Sequence, residues 1–265
     1  MGRLSQARRE QGIAMRTMAK LLLVLTLALA AMPARAEQIT LTSGEWRPYL
    51  SEQLPHYGVL SRIVSEAFAL EGVSVRYVFR PWPRALAEAQ QGSAQGSVVW
   101  SVGAPGSSRN RDFHFSHLVY EDKSGFFYRK DFPFTWTNIN EVAIKYKVGG
   151  VAGYEYAFEK LPGALIDRAP SDELAMRKLL AGRFDVFPSS LGVGMYVLRT
   201  RFTPDEASRI AYHPGTFAKT RYHLILPRSL ASSKRHLKLF NKGLRRLKDS
   251  GRYDQYLADL DAGKY

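Results

Sequence analysis

Two arginines in a loop of small residues mark the first place where this sequence can do chemistry. Residues 100–116 read WSVGAPGSSRNRDFHFS, with Arg109 and Arg111 following a Gly, Ser and Pro run and preceding Phe113 and Phe115. A guanidinium held at a strand end presents a planar fork that pairs with a carboxylate through two parallel hydrogen bonds. Small neighbours let backbone N–H groups approach the same anion. The bland reading is two surface arginines. Motifs for covalent or metal-assisted catalysis are missing. Gly192-Val193-Gly194 lacks the serine of a nucleophile elbow, and there is no H-E-x-x-H, phosphate-binding loop or dinucleotide fingerprint. His114 and His117 are three apart in strand-like sequence, which sends them to opposite faces. Glu121-Asp122 reads as a solvated turn. With no cysteine there is no disulfide, thiolate metal site or thiol nucleophile, and no cofactor is expected.

The elements that must position these residues follow an α/β grammar. Residues 38–43 alternate as a strand does. Val59, Leu60, Ile63, Val64, Ala67 and Phe68 recur at helical spacing and stop at Gly72. Val73, Val75, Tyr77 and Phe79 alternate again, Pro83 opens a helix that runs to Gly92, and residues 97–100 form a short apolar strand. The pattern restarts with a strand at 147–151, a helix capped by Ser171 and carrying Leu174, Leu179 and Leu180, and strands at 184–187 and 222–226. Leu237, Phe240, Leu244 and Leu247 then stripe a last helix that ends at Gly251. This order predicts an α/β protein with two lobes, each a mostly parallel sheet with flanking helices, and a ligand cleft between them. Lys234, Arg235, Lys238, Lys242, Arg245, Arg246 and Lys248 fall on the last helix; its apolar stripe makes them a solvated face rather than a nucleic-acid surface.

The first residues carry an address. Five basic residues precede the apolar run LLLVLTLALAA at 21–31, and Ala34-Arg35-Ala36 follows. That is the pattern of a secretory signal peptide over 1–36, cleaved near Ala36, whether translation starts at Met1 or Met15. The apolar run is too short for a stable membrane span. The full chain has 38 Lys and Arg against 24 Asp and Glu, a net +14. Removing 1–36 leaves 32 against 23 over the remainder, a net +9. The expected product is soluble, basic, periplasmic and monomeric.

Six segments taken together resemble the periplasmic solute-binding proteins of family 3, the polar amino-acid type that serves ABC importers. They are GEWRPY (44–49), PWPRALAEAQQG (81–92), SRNRDFHFS (108–116), VGGVAGYEY (148–156), LLAGRFDVFP (179–188) and FNKGLRRLKDSGRYDQY (240–256). The resemblance implies a two-lobed fold of the second type, with 37–122 and 221–265 as one lobe and 123–220 as the other. It also implies capture of a small carboxylate-bearing solute by hinge closure, and delivery to an inner-membrane ABC permease. Chain crossings are expected near 121–125 and 219–222.

Residue by residue, the resemblance makes Arg109 the carboxylate grip, with Arg111 as local competitor. It gives Ser101, Gly103 and Ala104 loop contacts to the ligand. Glu45, Trp46 and Tyr49 become wall or polar contacts, with core packing the alternative for the two aromatics. Gly153 and Tyr154 are placed across the cleft. One departure stands out: the family commonly has an aspartate for the ligand ammonium five residues after Asp185, and here that position is Ser190. Another acid supplies the charge, or the ligand is no standard α-amino acid. Two alternatives remain open, a dehydratase acting on cyclic dienoic acids with Glu45 as acid/base, and an orphan sensory module.

Overall fold

In the computed structural model, eight strands form a sheet whose outer strands are short and whose two central strands are long. The residues described are 37–152, 154 and 156–265, so the segment 1–36 expected to be a signal peptide, and Gly153, lie outside them. The strands are β1 (Glu37–Ser43), β2 (Val73–Phe79), β3 (Gly96–Ser101), β4 (Phe113–Arg129), β5 (Val148–Val151), β6 (Ile166–Ala169), β7 (Val186–Ser190) and β8 (Ile210–Pro227). The helices are α1 (Val59–Ala69), α2 (Trp82–Gln90), α3 (Ser108–Asp112), α4 (Ile139–Lys145), α5 (Asp172–Leu180), α6 (Leu191–Arg201), α7 (Pro204–Ser208), α8 (Ser233–Asp249) and α9 (Arg252–Asp261). The sheet order is β2-β1-β3-β8-β4-β7-β5-β6. The outer pairs β1–β3, β5–β6 and β5–β7 run parallel, as the alternating grammar predicts. At the centre the ladder is antiparallel, because β4 and β8 traverse the molecule in opposite directions.

β4 and β8 pair from Phe113↔Pro227 to Arg129↔Ile210. β3 covers β8 only as far as Ser101↔Tyr222, and β7 covers β4 only from Ser124↔Ser190 onward. Between them, Glu121↔Arg221, Asp122↔Thr220 and Lys123↔Lys219 form a two-stranded ribbon, flanked on neither side by a third strand among the described residues. This ribbon divides the sheet into two halves.

Both halves bury apolar layers against the sheet, and one buried cluster runs through both. In the first, α1 lies on α8, with Phe68 and Phe240 rings 5.1 Å apart. Gly243 sits directly on the Ala67 carbonyl, so the two helix backbones touch. In the second, Phe126, Phe134, Val142, Val148, Phe158 and Val186 cluster beneath α4. Sequence signals at the ends are obeyed: Ser171 Oγ accepts the Leu174 N–H, and Gly251 ends α8 at φ 74°. Two expectations shift. The strand expected at 184–187 lies at Val186–Ser190, because Phe184 is a fully buried plug under Gly149. Leu174, expected on a buried stripe, is 46% exposed.

Candidate functional site

Arg109 is aimed by three local devices. β3 carries a bulge between Ser97 and Trp100, and Val99 there adopts φ 61°. A left-handed valine is strained, and bulges of this kind re-aim the residues that follow. The Trp100 indole N–H donates to Ser97 Oγ at 2.7 Å, which fixes the ring. Arg109 then stacks over that ring, its guanidinium carbon 4.8 Å from the centroid, and donates from Nη1 to the Ser101 carbonyl at 2.9 Å. Asn110 closes the loop by accepting the Gly103 N–H and donating to the Gly103 and Ala104 carbonyls.

That geometry separates the two arginines. Arg111 has its side chain 69% exposed and pairs with Asp112. Arg109 is partly withdrawn from water, and burial pulls its guanidinium below the usual arginine range. Its Nε is buried and meets no hydrogen-bond partner among the described residues. No carboxylate pairs with it there, which leaves a cation that an anionic ligand would complete.

The loop residues differ from expectation. Ser101 offers its carbonyl and hydroxyl to Arg109. The Gly103 N–H is taken by Asn110, and Ala104 is exposed with its carbonyl bonded to Asn110. These residues position the arginine. Glu45 has its side chain 54% exposed, and its carboxylate accepts the Glu52 N–H at 2.9 Å.

An aromatic wall leads from Arg109 to the ribbon. Ser101 pairs with Tyr222 across the ladder. The Tyr222 ring lies 4.9 Å from Trp46, which lies 4.4 Å from Tyr49. Trp46 is half-buried. Tyr49 follows the core-packing alternative. It is fully buried, and its contribution is the hydroxyl. Tyr120 donates to that hydroxyl at 3.0 Å, Tyr49 donates to Asp122 Oδ1 at 3.0 Å, and Ser190 Oγ donates to the same oxygen at 2.7 Å. Ser190 also caps α6 by accepting the Val193 N–H.

Asp122, in the ribbon, is thus the acid that sits at Ser190. It is 3% exposed, which overturns its reading as a solvated turn. Burial pushes its carboxyl up, and the Ser190 and Tyr49 hydroxyls pull it partly back. In return, burial and the Asp122 charge push the Tyr49 phenol far up. A second carboxylate lies one residue along β7. Asp172, the first residue of α5, accepts from Ser189 Oγ at 3.2 Å and from the Tyr154 hydroxyl at 3.3 Å. Burial pushes it up as well. Tyr154 is 42% exposed, and burial of its hydroxyl beside Asp172 pushes its phenol up. Neither Asp122 nor Asp172 forms an ion pair among the described residues. The arrangement therefore offers one unmet cation, an aromatic wall and two uncompensated acids around the ribbon. No group of three or more His, Cys, Asp or Glu among the described residues is placed to hold a metal.

The sequence missed Asp122, Asp172, Tyr120 and Tyr222. A usable signal existed for Asp122: it stands two residues after Tyr120, the phase of one face of a strand.

No family model and no curated protein matches the chain. Solved structures do. A histidine kinase sensor domain with similarity to periplasmic binding proteins matches with a TM-score of 0.66 at 19% identity, covering 85% of this chain and 96% of that one. The amino acid ABC transporter substrate-binding protein AbpA from Streptococcus pneumoniae, bound to L-arginine, matches with a TM-score of 0.63 at 19% identity, over 86% and 95%. The arginine-, lysine-, histidine-binding protein ArtJ from Geobacillus stearothermophilus matches at 0.61 and 16%, over 84% and 95%. The chain has the two-lobed fold of the periplasmic binding proteins, at nearly the full length of these structures.

Proposed function

We propose that the chain is an exported solute-binding protein of the family 3 type, which captures a small carboxylate-bearing solute between its halves and presents it to an ABC permease. The lobes are 37–122 with 221–265, and 123–220, joined at the ribbon. The observation that carries the reading is Arg109, a half-desolvated guanidinium with an unmet Nε at the strand end beside the ribbon. It grips the ligand carboxylate, while Trp46 and Tyr222 flank the body of the ligand. Asp172, at the rim with Tyr154, faces a positive group, and this supports an amino acid or a related zwitterion. Neighbours of the same fold bind L-arginine and L-glutamate.

Closure follows from differential binding: a solute that touches both halves stabilises the shut form only by binding it better than the open one. Closing also removes water, which strengthens the Arg109 contact. The likeness to a kinase sensor domain supports a second reading, in which the same clamp feeds a signalling partner. Reconstitution with a permease encoded beside it separates the two. The dehydratase reading needs Glu45 as its acid, and that carboxylate is held by the Glu52 N–H.

The test is a thermal-shift screen of residues 37–265 against amino acids, dicarboxylates, polyamines and opines, with L-arginine and L-glutamate included. A ligand at about 100 times its Kd adds roughly 2.7 kcal/mol. Arg109→Ala is expected to abolish the shift from any carboxylate-bearing hit. An unchanged shift in that variant rejects the assignment.

A further inference from the structure

A second hollow lies on the same two long strands, away from the ribbon. Its volume is about 460 Å³, and its floor is the cross-strand pair Phe127 and Tyr212. Phe127 sits about 17 Å along β4 from Asp122, at ~3.4 Å per residue. Gly194 makes the floor possible: a Cβ there would strike the Phe127 ring. Met195, Leu198, Ile210 and Tyr212 supply an apolar lining, and Lys130 and Arg199 supply charge.

Three features make this hollow more than surface relief. Met195 and Tyr212 are 43% and 47% exposed, so two large side chains of the lining face water. No acidic side chain lines the hollow. Neither Lys130 nor Arg199 has an ion-pair partner among the described residues; Arg199 makes only a 3.5 Å bond to the Asp261 carbonyl. The acids nearby are engaged elsewhere, Asp131 with Arg129 and Glu206 with Thr203. A smaller hollow of about 230 Å³ shares Lys130 and is lined also by Arg209 and by the paired Arg129 and Asp131. An apolar cavity of about 150 Å³ already takes a benzene ring, so this one has room for a two-ring body. We propose that it binds a free small anion with a flat apolar body and one carboxylate or sulfonate head, the rings between Met195 and Tyr212 and the head against Lys130 and Arg199. Complementary charge decides against a neutral or cationic occupant.

The probe is naphthalene-2-carboxylate, titrated into uniformly ¹⁵N-labelled residues 37–265 and followed by amide shifts and calorimetry. Saturable shifts are expected at Lys130, Met195 and Tyr212. The neutral naphthalene-2-methanol should bind about tenfold or more weakly, the value of one charge-assisted contact. Met195→Glu and Lys130→Glu should weaken the carboxylate by about the same factor, and Arg109→Ala should leave it unchanged, since the hollow is separate from the ribbon site. The proposal is overturned by shifts confined to Trp46, Tyr154 and Tyr222, by equal binding of acid and alcohol, or by folded charge variants that bind as well as the parent. The first two comparisons use the unmodified chain and hold whether or not a variant folds.

Discussion

Asp122 is the residue on which the ribbon turns. A carboxylate 3% exposed with no cation beside it is costly to ionise, and the Tyr49 and Ser190 hydroxyls that donate to it, with Tyr120 donating to Tyr49, offset part of that cost. Burial raises its folded pKa above the unfolded value of about 3.9. The sign is then fixed: the folded protein holds a proton that the unfolded chain releases, so stability falls as pH climbs from about 4 toward the raised value, and levels off above it. Asn at this position keeps an oxygen to accept the same donors and has no charge to bury. Melting temperatures of Asp122→Asn and the parent, compared from pH 4 to 8, should diverge with rising pH in favour of the variant. A difference independent of pH would show that Asp122 titrates as it does in the unfolded chain.

At the scale of elements, the contact between α1 and α8 is set by an absence of side chain. A methyl at Gly243 would fall on the Ala67 carbonyl, which is backbone and cannot swing aside. Gly243→Ala should destabilise by about 1–3 kcal/mol, as overpacking does. That corresponds to a melting temperature lower by roughly 2–10 °C for a domain of this size, readable by calorimetry. A melting temperature unchanged within a degree would mean that the helices separate freely.

The elements also explain what could be read from the sequence. Local signals placed β2 and α1 well, because alternation and a glycine stop are properties of the segment itself. The long strands β4 and β8 were hidden. Glu121, Asp122 and Lys123 break the apolar pattern of β4 where it crosses between halves, and Pro214-Gly215 reads as a turn inside β8. α6 was hidden too, since Gly192 and Gly194 are poor helix formers, present because Tyr49 and Phe127 press against them. Arg109 stood out through its loop. Asp122 and Asp172 did not, because their neighbours Ser190 and Ser189 lie on β7, 68 and 17 residues away, and only folding brings them together.

For the whole molecule, the ribbon is the point of least sheet support. On either side a third strand stiffens the β4–β8 pair; between Tyr222 and Ser124 only two strands remain. Motion of one half against the other should concentrate there, with Arg109 and the aromatic wall on one side and Tyr154 and Asp172 on the other. The chain has no cysteine, so a pair of cysteines labels two sites uniquely. Gln91 in the first half and Lys145 in the second are exposed and serve as label sites. The most direct measurement is the distance between spin labels at Gln91→Cys and Lys145→Cys, with and without a saturating solute that raises the melting temperature. The distance distribution should narrow and shift on binding in the parent, and should not move when Arg109→Ala is added. A bound, stabilising solute that leaves the distribution untouched would contradict closure around the ribbon.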